Sequence, residues 1–432
     1  MSSSRFAYLN SIQRILFHSI VLVATPEHLE HLLRADISRI APWVTTVTFV
    51  APHNNWALRF RNFKKALIAQ AVYEYARKNH VRHDFDSDDG YRNFIEQHWS
   101  GRLPFFDGQV RVAYAKYHEA ALNAKALLFS NGLKAAWTIA LRALRNVERL
   151  HFTSEQLEEL GILHSPVQPA CIIRDHDHDR NHTEETCRRV AAPVGDALFA
   201  AGIYCLAKAK VKARVLDVAC AMTGKLEWET LAGWKDLDLS QIWRFDFQPK
   251  VQSFEEDLDI FGGEDAIAAR AANAVAAVLK KCGNKLEEFS YDRSCPIIWP
   301  GDKVIHLPRL RHLSLDKGSI RPHNLRAWIA TMPSLEDLIL FDSKLCEDVY
   351  HGWKYIFDAV RNHPTRMRVY FDRIKTNDAA DLSLEYHTDD FQRVLKQEEN
   401  QDPWEDIKRS LSLYLSGKIE FNRSLRIWLQ DD

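Results

Sequence analysis

Residues 307–315 read LPRLRHLSL, and residues 332–340, which begin 25 positions later, read MPSLEDLIL. Both segments follow the pattern apolar-Pro-x-Leu-x-x-Leu-x-Leu. The stretch between them carries apolar residues at helical spacing (Leu325, Trp328, Ile329 and Met332) after Pro322. A strand-like segment and a helix that recur together at a fixed period indicate a repeated supersecondary unit.

The same signature, loosened to apolar-x-x-apolar-x-apolar, fits five further segments that follow helix-like stretches. They are residues 44–49, 147–152, 213–218, 242–247 and 286–291. The order strand, loop, helix, strand repeats from about residue 213 to residue 372. Short crossovers of this kind require parallel strands with helices outside them. The pattern therefore predicts an α/β fold of leucine-rich repeats, with a regular period only from about 286 to 372.

The N-terminal half departs from this rhythm because long amphipathic helices are predicted at residues 57–79, 109–128 and 131–145. The region after 373 reads as a polar linker, an amphipathic helix (Trp404, Ile407, Leu411 and Tyr414) and a last apolar stretch. The terminal units of solenoids are atypical because they close the stack. We predict an irregular leucine-rich-repeat solenoid with parallel strands on the concave face, helices outside and long helical insertions in the N-terminal half.

Composition excludes several classes of protein. The 57 basic and 58 acidic side chains nearly cancel, so no global field attracts nucleic acid or a membrane surface. The seven cysteines contain no C-x-x-C motif and are odd in number, which favours a reducing compartment. The apolar run at residues 20–24 is too short to span a bilayer. We expect a cytoplasmic or nuclear protein.

Residues 16–29, 40–49 and 144–150, together with the two proline-containing repeats, resemble ascomycete fungal F-box proteins with degenerate leucine-rich repeats. The resemblance implies a post-F-box segment at 1–40, a degenerate leucine-rich-repeat domain at 41–372 and a capping region at 373–432. It also implies a non-catalytic module that recognises substrates for a cullin-based ubiquitin ligase.

In these proteins the F-box lies before the segment that begins near Phe17. In this chain sixteen residues precede Phe17. The resemblance therefore predicts that the adaptor-docking module is missing or truncated in this chain. A Skp-type adaptor is an expected partner only if an F-box exists upstream. The alternative interpretation is a stand-alone leucine-rich-repeat interaction scaffold without a link to the ligase.

The repeat pattern predicts which side chains form the binding surface. In x-x-Leu-x-Leu-x-x the leucines point inward, so the intervening residues stand on the other surface of the sheet. These residues are Arg244, Asp246, Glu288, Ser290, Asp292, His312, Ser314, Asp316, Asp337, Ile339 and Phe341. The set is acidic with an apolar end, and it suits a protein substrate or a basic or amphipathic target peptide.

A second alternative is a metal-dependent hydrolase centred on the His/Asp cluster at 175–187. The cluster includes the imidazoles of His176, His178 and His182, which are a dense set of potential zinc ligands. No other cluster supplies further ligands, so we favour a solvated polar loop and expect no metal and no cofactor. A calcium loop at 84–90 is disfavoured because its glycine is one position late and Ile95 replaces the closing Glu.

Nucleic-acid binding and common catalytic classes find little support in the sequence. The segment 57–83 is basic with interleaved aromatic residues, a combination that is typical of nucleic-acid-binding surfaces. At helical spacing, however, the aromatic residues face a core while the charges face water. The chain carries no Gly-rich phosphate loop, nucleophile elbow or kinase motif. We therefore expect neither nucleic-acid binding nor enzymatic activity.

Overall fold

The computed structural model describes about three fifths of the chain. The described residues are 16–51, 60, 107–153, 185–220, 227–248, 274–291, 298–299, 304–316, 319–345, 352–374, 382–386, 403–420 and 425. They belong to two compact units. The first takes its described residues from Met1–Arg145, Phe152–Ala209 and Cys220–Thr223, and the second from Asn146–His151, Lys210–Ala219 and Gly224–Asp432.

The first unit combines two parallel strands with four helices. The strands are β1 (Ser19–Val23) and β2 (Thr46–Val50), and the helices are α1 (Pro26–Arg34), α2 (Asp107–Phe129), α3 (Asn131–Ala143) and α4 (Glu185–Ala209). Local sequence explains where two of these helices begin. The side chain of Thr25 accepts the backbone N–H of His28, and that of Ser130 accepts the backbone N–H of Leu133. Both residues therefore act as N-caps that satisfy an otherwise unpaired donor.

Aromatic rings form the core of the first unit. Phe49 of β2 stacks on Phe152 at 4.7 Å between ring centroids, and its edge meets Trp137 of α3 at 5.3 Å. Phe152 also contacts Phe199 of α4 at 5.1 Å. Phe152 lies in the strand β3 (Arg149–Thr153), which contributes residues to both units. The rings pack the two helices against the strands.

The second unit is built on parallel strands. They are β4 (Val215–Ala219), β5 (Arg244–Phe247), β6 (Glu288–Tyr291), β7 (Ile298–Trp299), β8 (His312–Asp316), β9 (Ser319–Ile320), β10 (Asp337–Phe341), β11 (Lys344–Leu345), β12 (Arg368–Ile374) and β13 (Leu382–Tyr386). The larger sheet runs β4-β5-β6-β8-β10-β12-β13, and β7, β9 and β11 form a small one. Every described pair is parallel except β12 with β13.

Helices connect several of these strands. Residues 274–282 are helical, and α5 (Pro322–Ala330), α6 (Gly352–Arg361) and α7 (Pro403–Leu415) follow. The apolar residues predicted at helical spacing in α5 are buried (Leu325, Trp328 and Ile329), and so are the apolar residues Trp353, Ile356, Phe357 and Val360 of α6. Strands alternating with helices along the chain confirm the predicted α/β class and its parallel strands.

The register of β8 and β10 reproduces the sequence repeat. His312 pairs with Asp337, Leu313 with Leu338, and Leu315 with Leu340, so each pair is separated by the 25 positions of the repeat. All seven strands predicted from the apolar-x-x-apolar-x-apolar signature are present, and each begins two residues after the first apolar residue of that signature. The inward positions are buried throughout the sheet: Leu216, Phe245, Phe289, Leu313, Leu338, Val369, Val218, Phe247, Tyr291, Leu315, Leu340 and Phe371.

Candidate partner-binding face

The side chains between these inward positions form one surface of the second unit's larger sheet, which we call the polar face. The parallel register places its residues in rows that cross the strands. The first row is Arg244, Glu288, His312, Asp337 and Arg368; the second is Asp217, Asp246, Ser290, Ser314, Ile339 and Tyr370; the third contains Asp316, Phe341 and Asp372. The residues of each row come from distant parts of the chain.

The sequence-based prediction and this arrangement coincide for most of the surface. Ten of the eleven predicted residues stand on the polar face, and Asp292 lies outside the described residues. The prediction missed Asp217, Arg368, Tyr370 and Asp372. The signal for Asp217 was present, because the segment 213–218 matches the strand signature and Asp217 lies between its two inward residues.

Charged side chains of the first row are held by their neighbours. Arg244 donates through Nε to Oδ2 of Asp246 at 2.7 Å, while its Nη1 lies 3.6 Å from Oε2 of Glu288. Oδ2 of Asp337 accepts a hydrogen bond from Nη2 of Arg368 at 2.6 Å, and the same carboxylate contacts Nδ1 of His312. Polar side-chain contacts therefore join β5 to β6, β8 to β10 and β10 to β12, in addition to the backbone ladder.

A second ion pair lies where β8 and β10 begin. Nε and Nη2 of Arg311 donate to the two carboxylate oxygens of Glu336 at 2.9 and 2.7 Å. The hydrogen bonds from Arg311 hold the pKa of Glu336 below its ordinary value. A contact through two parallel hydrogen bonds fixes the relative orientation of the two side chains. Because the pair is exposed, it adds little to the free energy of unfolding.

Two carboxyl groups meet at one end of the second row. Asp217 and Asp246 are register partners in β4 and β5, and both are buried. Nε of Arg149 donates to Oδ2 of Asp217 at 2.5 Å. Burial raises the pKa of Asp246 above its ordinary value; the hydrogen bond from Arg244 opposes this, and the adjacent Asp217 carboxyl raises the pKa further. This end of the row combines acidic groups with two guanidinium groups.

The opposite end of the second row is apolar. Ile339 and Tyr370 are register partners in β10 and β12, and their exposed fractions are 37% and 38%. Phe341 stands in the next row, two residues beyond Ile339. The second row therefore changes from carboxyl groups through the hydroxyls of Ser290 and Ser314 to apolar side chains. These groups suit hydrogen bonding, charge pairing and apolar contact with a partner.

The alternative metal cluster at 175–187, with His176, His178 and His182, lies outside the described residues. Within the described part of the chain, no group of three or more His, Cys, Asp or Glu side chains is arranged to hold a metal ion. The predicted helix 57–79 and the calcium-like loop at 84–90 also fall outside the described ranges, apart from Phe60.

Comparison with known proteins adds no family to this picture. No protein-family model matches the chain, and no curated protein or solved structure matches it either. Among the helices that the structure describes, none combines the length and the apolar character that crossing a bilayer requires.

Proposed function

We propose that the chain is a non-catalytic protein-recognition module and that its polar face binds the partner. The observation that carries the proposal is the exposure of Ile339 and Tyr370 beside an ordered row of charged side chains. The other surface of the same strands is filled by the core, so this surface needs no apolar residues for folding. Exposed apolar side chains with polar neighbours are typical of protein-binding sites.

The finer architecture in this proposal is an irregular leucine-rich-repeat solenoid whose concave surface is the polar face. Two observations support it: the register of β8 and β10 has the 25-residue period of the sequence repeat, and α5 connects these two strands. In solenoids, neighbouring repeats stack their strands into an extended surface that binds partners.

The resemblance to F-box proteins leads to a more specific form of the proposal. In that form the chain selects substrates for a cullin-based ubiquitin ligase, and a Skp-type adaptor binds an F-box encoded upstream. Co-purification of the adaptor with the protein expressed from its own gene supports this form. If purified adaptor does not bind, the stand-alone scaffold is the better description, and the polar face keeps its role.

Variants of the polar face test the proposal directly. Ile339→Asp combined with Tyr370→Asp places two carboxylates at the apolar end of the second row. The matched control carries Val304→Asp and Ile139→Asp, which change two apolar side chains that are exposed elsewhere. Partners are captured quantitatively with wild type, face variant and control, and each candidate is then purified and titrated against all three.

The proposal predicts that at least one purified partner binds wild type and control equally and loses about tenfold or more in affinity for the face variant. Circular dichroism and the unfolding midpoint show whether the face variant is folded. The proposal is overturned if every purified partner binds the folded face variant as tightly as it binds wild type.

A further inference from the structure

We propose that the polar face takes an extended peptide laid across the strands, with a Lys or Arg side chain at the acidic end and an apolar side chain on Ile339 and Tyr370. The acidic end is Asp217, Asp246 and Glu288. This inference rests on the proposed function and adds the chemical class of the ligand, together with the spacing of its two anchor residues.

Charge complementarity supports a basic ligand. The described residues of the polar face include six carboxyl groups (Asp217, Asp246, Glu288, Asp316, Asp337 and Asp372) and two guanidinium groups (Arg244 and Arg368), and Arg149 of β3 adds a third guanidinium group beside Asp217. The face therefore carries an excess of negative charge although the whole chain is nearly neutral. An excess of one sign on a binding surface steers partners of the opposite sign towards it.

Glu288 is the accessible carboxylate at the acidic end. Arg244 makes its short hydrogen bond to Asp246, and its Nη1 remains 3.6 Å from the Glu288 carboxylate, beyond hydrogen-bond distance. The Glu288 side chain is 32% exposed. A Lys or Arg side chain of a ligand therefore reaches this carboxylate without breaking the Arg244–Asp246 pair.

Asp217 adds to the acidic character of this end. Its side chain is nine-tenths buried, Oδ2 accepts a hydrogen bond from Arg149, and the carboxyl group lies beside that of Asp246, whose pKa it raises. A cation brought to this end of the row favours the charged form of the adjacent carboxyl groups.

The spacing follows from the sheet. Glu288 stands in β6, one row from Ile339 and Tyr370, and two and three strands away from them. One row combined with two or three strand spacings amounts to about 12 or 16 Å, and an extended peptide covers this range in about four residues. Residues four apart in an extended peptide point to the same side, so both anchors face the sheet. The small Ser290 and Ser314 side chains lie below the intervening residues.

Random dodecapeptides displayed on phage, selected on the immobilised full chain, test this inference. We expect the enriched sequences to carry a Lys or Arg about four positions from a Leu, Ile, Val or aromatic residue. Peptides synthesised from them are then titrated by fluorescence polarisation. Glu288→Gln should weaken binding roughly two- to fivefold, the range of an exposed ion pair. Glu229→Gln, an identical change at an exposed site elsewhere, should leave binding unchanged.

The outcomes separate this inference from the proposed function. The inference fails, while the function stands, if the enriched peptides lose binding to the Ile339→Asp and Tyr370→Asp variant but show no basic preference and no response to Glu288→Gln. Both fail if no enriched peptide responds to that double variant. Replacing the basic residue of a peptide by Glu should abolish the difference between wild type and Glu288→Gln, and persistence of that difference contradicts the assigned contact.

Discussion

Gly202 lies directly against the ring of Phe152. A Cβ atom placed on Gly202 would stand 2.3 Å from Cε1 of Phe152 and 2.9 Å from Cζ. The ring has little room to retreat, because Phe49 stacks on it and Phe199 packs on another side. The close approach of α4 to β3 therefore requires a residue without a side chain at this position.

Gly202→Ala should destabilise the first unit by about 1–3 kcal/mol. The cost of overpacking the core with the added methyl group exceeds the stability gained from the higher helix propensity of alanine. Urea unfolding measures the change. Gly132→Ala is the matched control: its nearest neighbour is the Ser130 hydroxyl at 3.9 Å, and we expect unchanged or slightly higher stability. An equal response of both variants would contradict the close packing of Phe152.

Leu338→Ala should lower the free energy of unfolding by about 2–5 kcal/mol, because it leaves a cavity among buried residues of neighbouring strands. The adjacent Ile339→Ala should cost less than about 1 kcal/mol, since that side chain stands on the polar face and is part-exposed. The ratio of the two effects tests the alternation of β10. Similar losses of stability at both positions would contradict the burial of one side of β10 and the exposure of the other.

Asp337→Asn removes the negative charge of a carboxylate that contacts both Arg368 and His312. Because the Arg368 side chain is 57% exposed, solvent screens the pair, and we expect a loss of only about 0.5–1 kcal/mol. A double-mutant cycle with Arg368→Gln measures the coupling. The coupling should shrink in 1 M salt, and a salt-independent value would indicate that the carboxylate acts through packing instead.

The thiols of Cys205, Cys220 and Cys282 should resist modification in the folded protein. Burial raises the pKa of Cys205 to about 11 and that of Cys282 to about 12, and it raises the pKa of Cys220 as well. Since the thiolate is the reactive form, a disulfide reagent at pH 8 should modify them only in urea. The measurement uses a variant with serine at positions 171, 187, 295 and 346. Rapid reaction in the native state would contradict their burial.

The same shifts predict a loss of stability in alkali. The unfolded thiols ionise near pH 9 while the folded ones keep their protons, so the unfolded state binds fewer protons between about pH 9 and 11. The free energy of unfolding is therefore unaffected below pH 9 and falls as the pH rises through this window. Cys205→Ala should flatten the slope between pH 9 and 10.5, and an unchanged slope would exclude Cys205 as a cause.

Strand positions were predictable from the sequence because an inward position must be apolar, whatever else changes. Leu313 and Leu338 reveal their strands through that requirement alone. Contacts between side chains of different strands depend on register, which no local pattern specifies. Asp217 and Asp246 are 29 positions apart, and only the pairing of β4 with β5 brings them together. The sequence accordingly predicted the polar face but not which of its charges meet.

Two of the strands that were not predicted have identifiable reasons. The apolar run at 20–24 was considered only as a membrane span, whereas Ser19–Val23 is β1 and pairs in parallel with β2. The strand β13 pairs antiparallel with β12, in contrast to the parallel pairs that precede it. The repeat signature applies to a strand that is followed by a crossover helix. The strand β13 is not part of that order, so the repeat did not predict it.

The parallel register has a consequence for how such a chain can diversify. Neighbouring parallel strands of the second unit's larger sheet start 29, 44, 24, 25 and 31 positions apart, and yet their rows stay aligned. Alignment is maintained by the backbone ladder and the inward apolar residues, not by connection length. Segments can therefore be lengthened or exchanged between strands during evolution without displacing the rows. The lengths of the connections and the side chains of the polar face are therefore free to change independently.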